Sequence, residues 1–435
     1  MKKVFLALCL VLCLLLIAGL ALAEDASVSF TKQNGSVNGG FPFTFSLTLR
    51  KAVEQDLDVL LQCKETGEEL TVHIPAGSKE GTVQYETDLV TKNETRNFTI
   101  QDGEGYTAKS KNFALKVVTL PKAKFYNSVI FGYVGKTTTV NILFENPSSV
   151  LKGTTVQLRD QNGTVLDEKT WNSGDGLRPF KVNVTRDLID RRVLSVWMGD
   201  YKISEKYGYG AFTDMSDEPV RKVATDQPLV AITLDCGWYG RQMPDILPIL
   251  EKNNVHCTFF MTGFFIRNFT QEARDAVAAG HEIGNHTNLH PKMAKDKAKI
   301  NRVTELTSTN DAAVELLGVR PRLFRPPYGD YDREVIALSR AEGMEIIIWT
   351  EDSHDWDVTN GYDFDKVWKR VTKKIEPGYI LLFHLDGKST PAVLEKLLPY
   401  IQEELGYKCV TVSELLASAN MRIPEVVEVD TGAAD

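Results

Sequence analysis

Near Pro219 the periodicity of the chain changes, and this change constrains the fold more than any single motif. Before it, short runs alternate apolar and polar residues, as in Phe43-Thr44-Phe45-Ser46-Leu47-Thr48-Leu49 and Thr138-Thr139-Val140-Asn141-Ile142-Leu143-Phe144. A period of two puts every second side chain on one face, so these runs read as half-buried strands separated by Gly, Asn and Ser turns. After it, the apolar runs 229–234, 257–261, 345–349 and 379–383 alternate with amphipathic stretches. Helices are predicted over 243–253, 271–279, 295–317, 332–342, 363–374 and 390–405. Such alternation implies βα units around a mostly parallel sheet or barrel, whose chemistry collects at the C-terminal ends of the strands.

The expected organisation is multidomain: two all-β immunoglobulin-like sandwiches over 24–120 and 121–213, then a βα domain over 214–420 and an acidic tail over 421–435. Each β segment is close to the ~100 residues of one such sandwich. No Cys…Trp…Cys spacing is present, so the term describes architecture only. Because a complete alternating pattern starts afresh at Leu229, residues 24–213 are expected to be separable from the rest.

Residues 1–23 read as a secretory signal peptide: Lys2 and Lys3, an apolar stretch from Val4 to Leu20, then Ala21-Leu22-Ala23. An uncleaved anchor is the alternative, while Leu12 before Cys13 is too bulky for a lipid-attachment site. No other segment reaches the ~20 apolar residues that span a bilayer, so no stable membrane span is expected after cleavage. Cleavage leaves Cys63, Cys236, Cys257 and Cys409, too few for a disulfide scaffold. A net charge of −8 without a long basic run excludes wrapping of nucleic acid, which needs clustered Lys and Arg. Seven Asn-x-Ser/Thr sequons, among them Asn285-His286-Thr287, read as mostly incidental in a bacterial chain, secreted or held at the cell surface.

Six of the seven histidines follow residue 255. His286 and His290 are four apart, which on one helical turn points both imidazoles the same way and suits a divalent metal such as zinc. Two surface histidines on a helix share that spacing, but this pair follows a strand-like run ending at Asn285. Asp235 ends the first strand of the region before Cys236-Gly237, either projecting into a mouth or capping a turn. In the rigid loop Phe324-Arg325-Pro326-Pro327-Tyr328-Gly329, Arg325 is available to pair with that carboxylate. Asp352-Ser353-His354-Asp355-Trp356 follows another strand, and His384 closes the run 380–383. Five polar clusters in order, each at a strand tip, argue against coincidence.

From about Pro228 to Leu416 the chain resembles the polysaccharide deacetylase family (carbohydrate esterase family 4, the NodB homology domain). Its Thr-Phe-Asp-Asp-Gly is matched by Thr233 to Gly237, its His-Ser/Thr-x-x-His by His286 to His290, and its Arg-x-Pro-Tyr-Gly by Arg325 to Gly329. Asp-x-x-Asp-Trp is matched by Asp352 to Trp356, and Leu-x-His by Leu382 to His384. The resemblance implies a distorted (β/α) barrel of the NodB type that removes acetyl groups from N-acetylated sugars, usually with one zinc ion. It makes Asp235 the general base, His286 and His290 metal ligands, and Arg325 the residue that orients Asp235. It further implies an oxyanion donor in the Tyr328 N–H, a general acid in His384 tuned by Asp355, and an acetyl pocket walled by Trp356 and Leu382.

Cys236 stands where the family has its second aspartate, normally the third metal ligand. Four readings are open: a thiolate ligand in a His₂Cys zinc site, a metal held by two histidines and water, a site that only binds glycan, or a Cys236–Cys257 disulfide. Three functions follow. One is a secreted, metal-dependent N-deacetylase acting on peptidoglycan or another extracellular polysaccharide. The others are a catalytically weak or inactive glycan-binding protein and an amidohydrolase of non-sugar amides.

Overall fold

The structure is a computed structural model that describes residues 26–145, 151–172, 176–189 and 193–424. The predicted signal peptide and residues 425–435 of the tail lie outside the described residues. In the first unit the alternation expected from sequence is realised: within Phe43–Leu49, Phe45, Leu47 and Leu49 are buried and the intervening Thr44, Ser46 and Thr48 are not. A four-stranded sheet carrying Phe43–Leu49 and a five-stranded sheet carrying Leu57–Cys63 and Glu94–Ile100 pack their apolar faces into one cluster. Phe45 and Phe98 meet across it with ring centroids 4.5 Å apart. In the second unit a three-stranded and a six-stranded sheet enclose Ile142, Phe180, Leu158, Val196 and Trp171 in the same way.

The third unit holds an eight-stranded, all-parallel sheet. Its strands are β1 (Leu229–Cys236), β2 (Thr258–Met261), β3 (Glu282–Asn285), β4 (Leu323–Phe324), β5 (Glu345–Ile346), β6 (Glu351–Asp352), β7 (Ile380–His384) and β8 (Lys408–Val410). They run in the order β5-β4-β3-β2-β1-β7-β6, with β8 beside the start of β1. Between the two ends lies the stretch 220–223, where Val220 bridges Ile347 and Lys222 bridges Tyr379. There Gly378, at φ +83°, lets the chain pass so close that a Cβ would sit 1.8 Å from Val223 O. Along β1, Val230, Ile232, Leu234 and Cys236 face the surrounding helices, while Thr233 and Asp235 lie on the opposite, inner face.

Eight α-helices pack around this sheet, of which three bear on the site: α1 (Met243–Lys252), α4 (Arg302–Leu317) and α5 (Arg333–Ala341). The helix expected over 295–317 begins only at Arg302, with Asn301 as its cap. The preceding turn is held elsewhere, because the N–H groups of Ala294 and Lys295 both donate to Asp330 Oδ2. The strand expected over 345–349 pairs through Glu345–Ile346 alone before Ile347 turns to Val220.

The second unit is not a detached module. Its strand Gly208–Thr213 lies on α5, and Ala211 shares an apolar cluster with Leu306, Phe324, Val335 and Ile346 of the βα unit. Arg302 stacks over the Phe131 ring at 5.7 Å. A cut after residue 213 exposes this cluster, so removal of the second unit is expected to cost the βα unit stability.

Candidate active site

Asp235 lies at the tip of β1, 6% exposed, and accepts a 2.7 Å hydrogen bond from Arg325 Nη1. Arg325 is fully buried against the Phe260 ring, 4.0 Å from its centroid, and donates also to Thr233 Oγ1. Burial pushes the Asp235 carboxyl up, but the Arg325 guanidinium, with His286 and His384, outweighs it and holds the group below the usual carboxylate range. This carboxylate is ionised at neutral pH.

His286 and His290 are brought together, but not on a helix. They occupy an irregular loop after β3, in which Thr287 has φ 67° and His290 φ 59°. The ring centroids are 4.9 Å apart. Side-chain anchors, rather than helical hydrogen bonds, set the loop: Glu305 Oε2 accepts from the N–H groups of Asn288 and Leu289, and Asn285 Oδ1 from that of Thr287. His286 Nδ1 donates to Arg325 O at 2.8 Å, which leaves Nε2 bare, 3.5 Å from Asp235 Oδ2. His290 Nδ1 lies 3.3 Å from the Tyr328 hydroxyl. Burial lowers the pKa of His286, and burial together with His286 lowers that of His290 to about 3. Both imidazoles are neutral.

His384 ends β7 directly opposite Asp235 in the parallel register. Its Nδ1 donates to Asp355 Oδ1 at 2.8 Å, and its own N–H donates to Asp355 Oδ2. Burial opposes its charge, but the bond to Asp355 and that carboxylate's field raise its pKa to about 9. Asp355 is fully buried and accepts also from Thr390, a partner without a signature in the sequence. Gly387 is what makes room, since a Cβ there would lie 2.5 Å from Asp355 Oδ2.

Leu382, 2% exposed, lies two residues before His384 and so shares its face of β7. Trp356 is 52% exposed, with its ring edge-on to His384 at 6.4 Å. Tyr328, at φ 61°, is exposed across from His290. Trp238, which the sequence did not single out, is part-exposed beside Phe264 and His290.

Cys236 is the one expected site residue that the fold turns away. Strand alternation sends its side chain into the helix-facing core with Met243 and Ile246, where it is fully buried and its Sγ lies 3.7 Å from Leu234 O. Burial, then the charge of Asp235, pushes the thiol well above its usual pKa. Among the described residues no three His, Cys, Asp or Glu side chains are grouped to hold a metal ion. The His₂Cys set is therefore not assembled. The Cys236–Cys257 disulfide fails too: the four cysteines among the described residues are free, and Cys236 pairs with Met261, four residues beyond Cys257. At ~3.3 Å per residue that separates them by ~13 Å, beyond the ~7 Å limit for a disulfide.

The chain is similar to several known proteins. The polysaccharide deacetylase family model matches residues 222–347. The uncharacterized protein YlxY of Bacillus subtilis is 31% identical over 60% of this chain and 79% of its own. The peptidoglycan-N-acetylglucosamine deacetylase of Bacillus cereus is 31% identical over 45% of this chain and 91% of its own. A crystal structure of a CE4 family pseudoenzyme from Bacillus anthracis is 29% identical, covers 49% of this chain and 73% of its own, and superposes with a TM-score of 0.43. Spanning most of two relatives at that identity, the chain belongs to the polysaccharide deacetylase family, hydrolases of carbon–nitrogen bonds other than peptide bonds.

Proposed function

We propose that the chain is a secreted N-deacetylase of cell-wall polysaccharide, removing acetyl groups from N-acetylated sugars such as those of peptidoglycan. One observation carries this reading. An ionised carboxylate, Asp235, faces a protonated imidazole, His384, from neighbouring strand tips. Amide hydrolysis needs that pair: a base to take a proton from water and an acid to protonate the departing amine. Asp235 takes the proton as the water oxygen attacks the acetamide carbonyl, and the Tyr328 N–H donates to the developing oxyanion. His384 then gives its Nε2 proton to the sugar nitrogen as the C–N bond breaks, releasing acetate. Arg325 keeps Asp235 ionised and Asp355 keeps His384 charged. Leu382 and Trp356 wall the methyl group.

The polymer reading draws support from Trp238 and Trp356, two part-exposed rings on opposite sides of the β1 tip that suit stacking on sugar rings. The two-sheet units, each closed around one apolar cluster, support the immunoglobulin-like architecture expected for them.

For a divalent cation such as zinc the fit is incomplete. Two neutral imidazoles with His286 Nε2 bare are good ligands, but the third residue of the expected set faces the core. That shortfall favours one second reading, a weakly active or inactive glycan-binding protein. Acetate release from peptidoglycan and from N-acetylglucosamine oligomers, measured with and without added zinc, separates the two. Oligomer binding with no acetate under either condition would establish the second.

A further inference from the structure

Hydrogen bonds run without a break from the second β unit to the histidine loop, and they are buried from Glu342 inward. The Tyr209 hydroxyl, on the strand Gly208–Thr213, donates to Glu342 Oε1 at 2.7 Å. Glu342 Oε2 accepts from Asn310 Nδ2 at 3.4 Å, and Asn310 Oδ1 accepts from Asn285 Nδ2 at 2.9 Å. Asn285 Nδ2 donates also to Leu306 O, while its Oδ1 accepts from Thr287 N–H at 2.8 Å. Asn285, Asn310 and Glu342 are 0, 1 and 4% exposed, so water does not substitute for these partners.

The chain of bonds has a fixed polarity. At one end the Leu306 carbonyl and the Thr287 N–H allow a single orientation of the Asn285 amide. That orientation sets Asn310, whose amide then needs an acceptor. At the other end the Tyr209 hydroxyl donates as well. Only a group that accepts on both sides closes the chain, and a carboxylate does so. Asn285 is in turn the residue before His286, and its carbonyl accepts from Arg325 N–H at 2.9 Å.

We infer that Tyr209 and Glu342 are positioning residues: the second β unit fixes the loop that carries His286 and His290 and is a working part of the deacetylase site, not an appended module. The inference rests on the deacetylase reading for its consequence in turnover, but not for its structural content.

The test uses the full chain with Tyr209→Phe and Glu342→Gln, both nearly isosteric. The second keeps the packing but sets an amide N–H₂ against a donor and also removes the ion pair of Glu342 Oε2 with Arg320 Nη2. Phe131→Leu, at the same interface but outside the chain of bonds, is the control. Hydrogen–deuterium exchange of residues 285–290 is followed beside acetate release and melting. Both variants are expected to speed exchange of the Thr287 amide about tenfold, and to lower kcat about tenfold with little change in KM, the effect of one lost hydrogen bond. Phe131→Leu is expected to lower the melting temperature without either change. If Tyr209→Phe and Glu342→Gln melt lower yet leave exchange over 285–290 unchanged, the bonds only glue two units together and the inference is wrong. A parent that releases no acetate counts against the proposed function, and the exchange measurement then decides the inference alone.

Discussion

Asp235 and Cys236 are neighbours in sequence and face opposite sides of one strand, the carboxyl towards Arg325 and the thiol into the core beside Met243 and Ile246. Cys236→Ala is therefore expected to bind zinc as tightly as the parent in a competition titration. Loss of the buried sulfur should cost stability on the order of 1 kcal/mol, read from denaturant unfolding. A marked loss of zinc affinity in Cys236→Ala would show that the thiol swings into the site.

The pKa of about 9 at His384 fixes the basic side of the pH profile. The group is raised in the folded state, so its stabilising charge is fully present below the usual histidine pKa and is lost as pH rises through about 9. Deacetylation is expected to fall along the same limb. Asp355→Asn removes the carboxylate that raises it, and should move that limb to lower pH. His384→Ala should lose roughly 10²–10⁴-fold in turnover, and should also melt lower, because it leaves the buried Asp355 carboxylate without its partner. Acetate release by His384→Ala at the parent rate would remove it from the reaction.

Arg325→Met leaves Asp235 buried without its counter-charge. Breaking such a pair costs about 3–5 kcal/mol. Asp235, depressed in the parent, contributes stability above its unfolded pKa that is lost as pH falls through the folded one. The variant should lose that contribution and show its acid limb of activity at higher pH. An unchanged acid limb in a folded Arg325→Met protein would mean that Arg325 does not set the ionisation of Asp235.

Removal of residues 24–213 uncovers Leu306, Phe324, Val335 and Ile346, which the second unit covers with Ala211. The shortened chain is expected to bind a hydrophobic dye and to melt lower than the full chain. Removal of 24–120 alone leaves that cluster covered and should be tolerated better. Equal melting of the full chain and the piece from 214 onward would bear out the separability expected from sequence.

Much of this was legible in the residues, for identifiable reasons. Period-two alternation gave the strands of the first two units, since each inward position in Phe43–Leu49 is apolar. The polar residues ending apolar runs marked Asp235 and His384, because a strand tip is where a side chain leaves the core. The spacing of His286 and His290 suggested a helix, but left-handed backbone at Thr287 and His290 builds a loop that serves the same purpose. Alternation, applied one residue past Asp235, already turned Cys236 away; motif matching concealed it. The contact between Tyr209 and Glu342 spans 133 residues and leaves no local pattern to read.

Burial of Asn285 also has a consequence for how the protein is produced. Asn285-His286-Thr287 is an acceptor for N-linked glycan, and that transfer precedes folding in a eukaryotic secretory pathway. A sugar placed on Asn285 Nδ2 takes the place of one of the two hydrogens that bond Leu306 O and Asn310 Oδ1, and has no room at a side chain with no exposed surface. Chains modified there in a yeast or insect-cell host should be retained and degraded, whereas a bacterial host without the transferase yields the folded protein. Thr287→Val, which deletes the acceptor sequence while keeping the Asn285 amide, should recover secretion at the expense of the hydroxyl that accepts from His290 N–H.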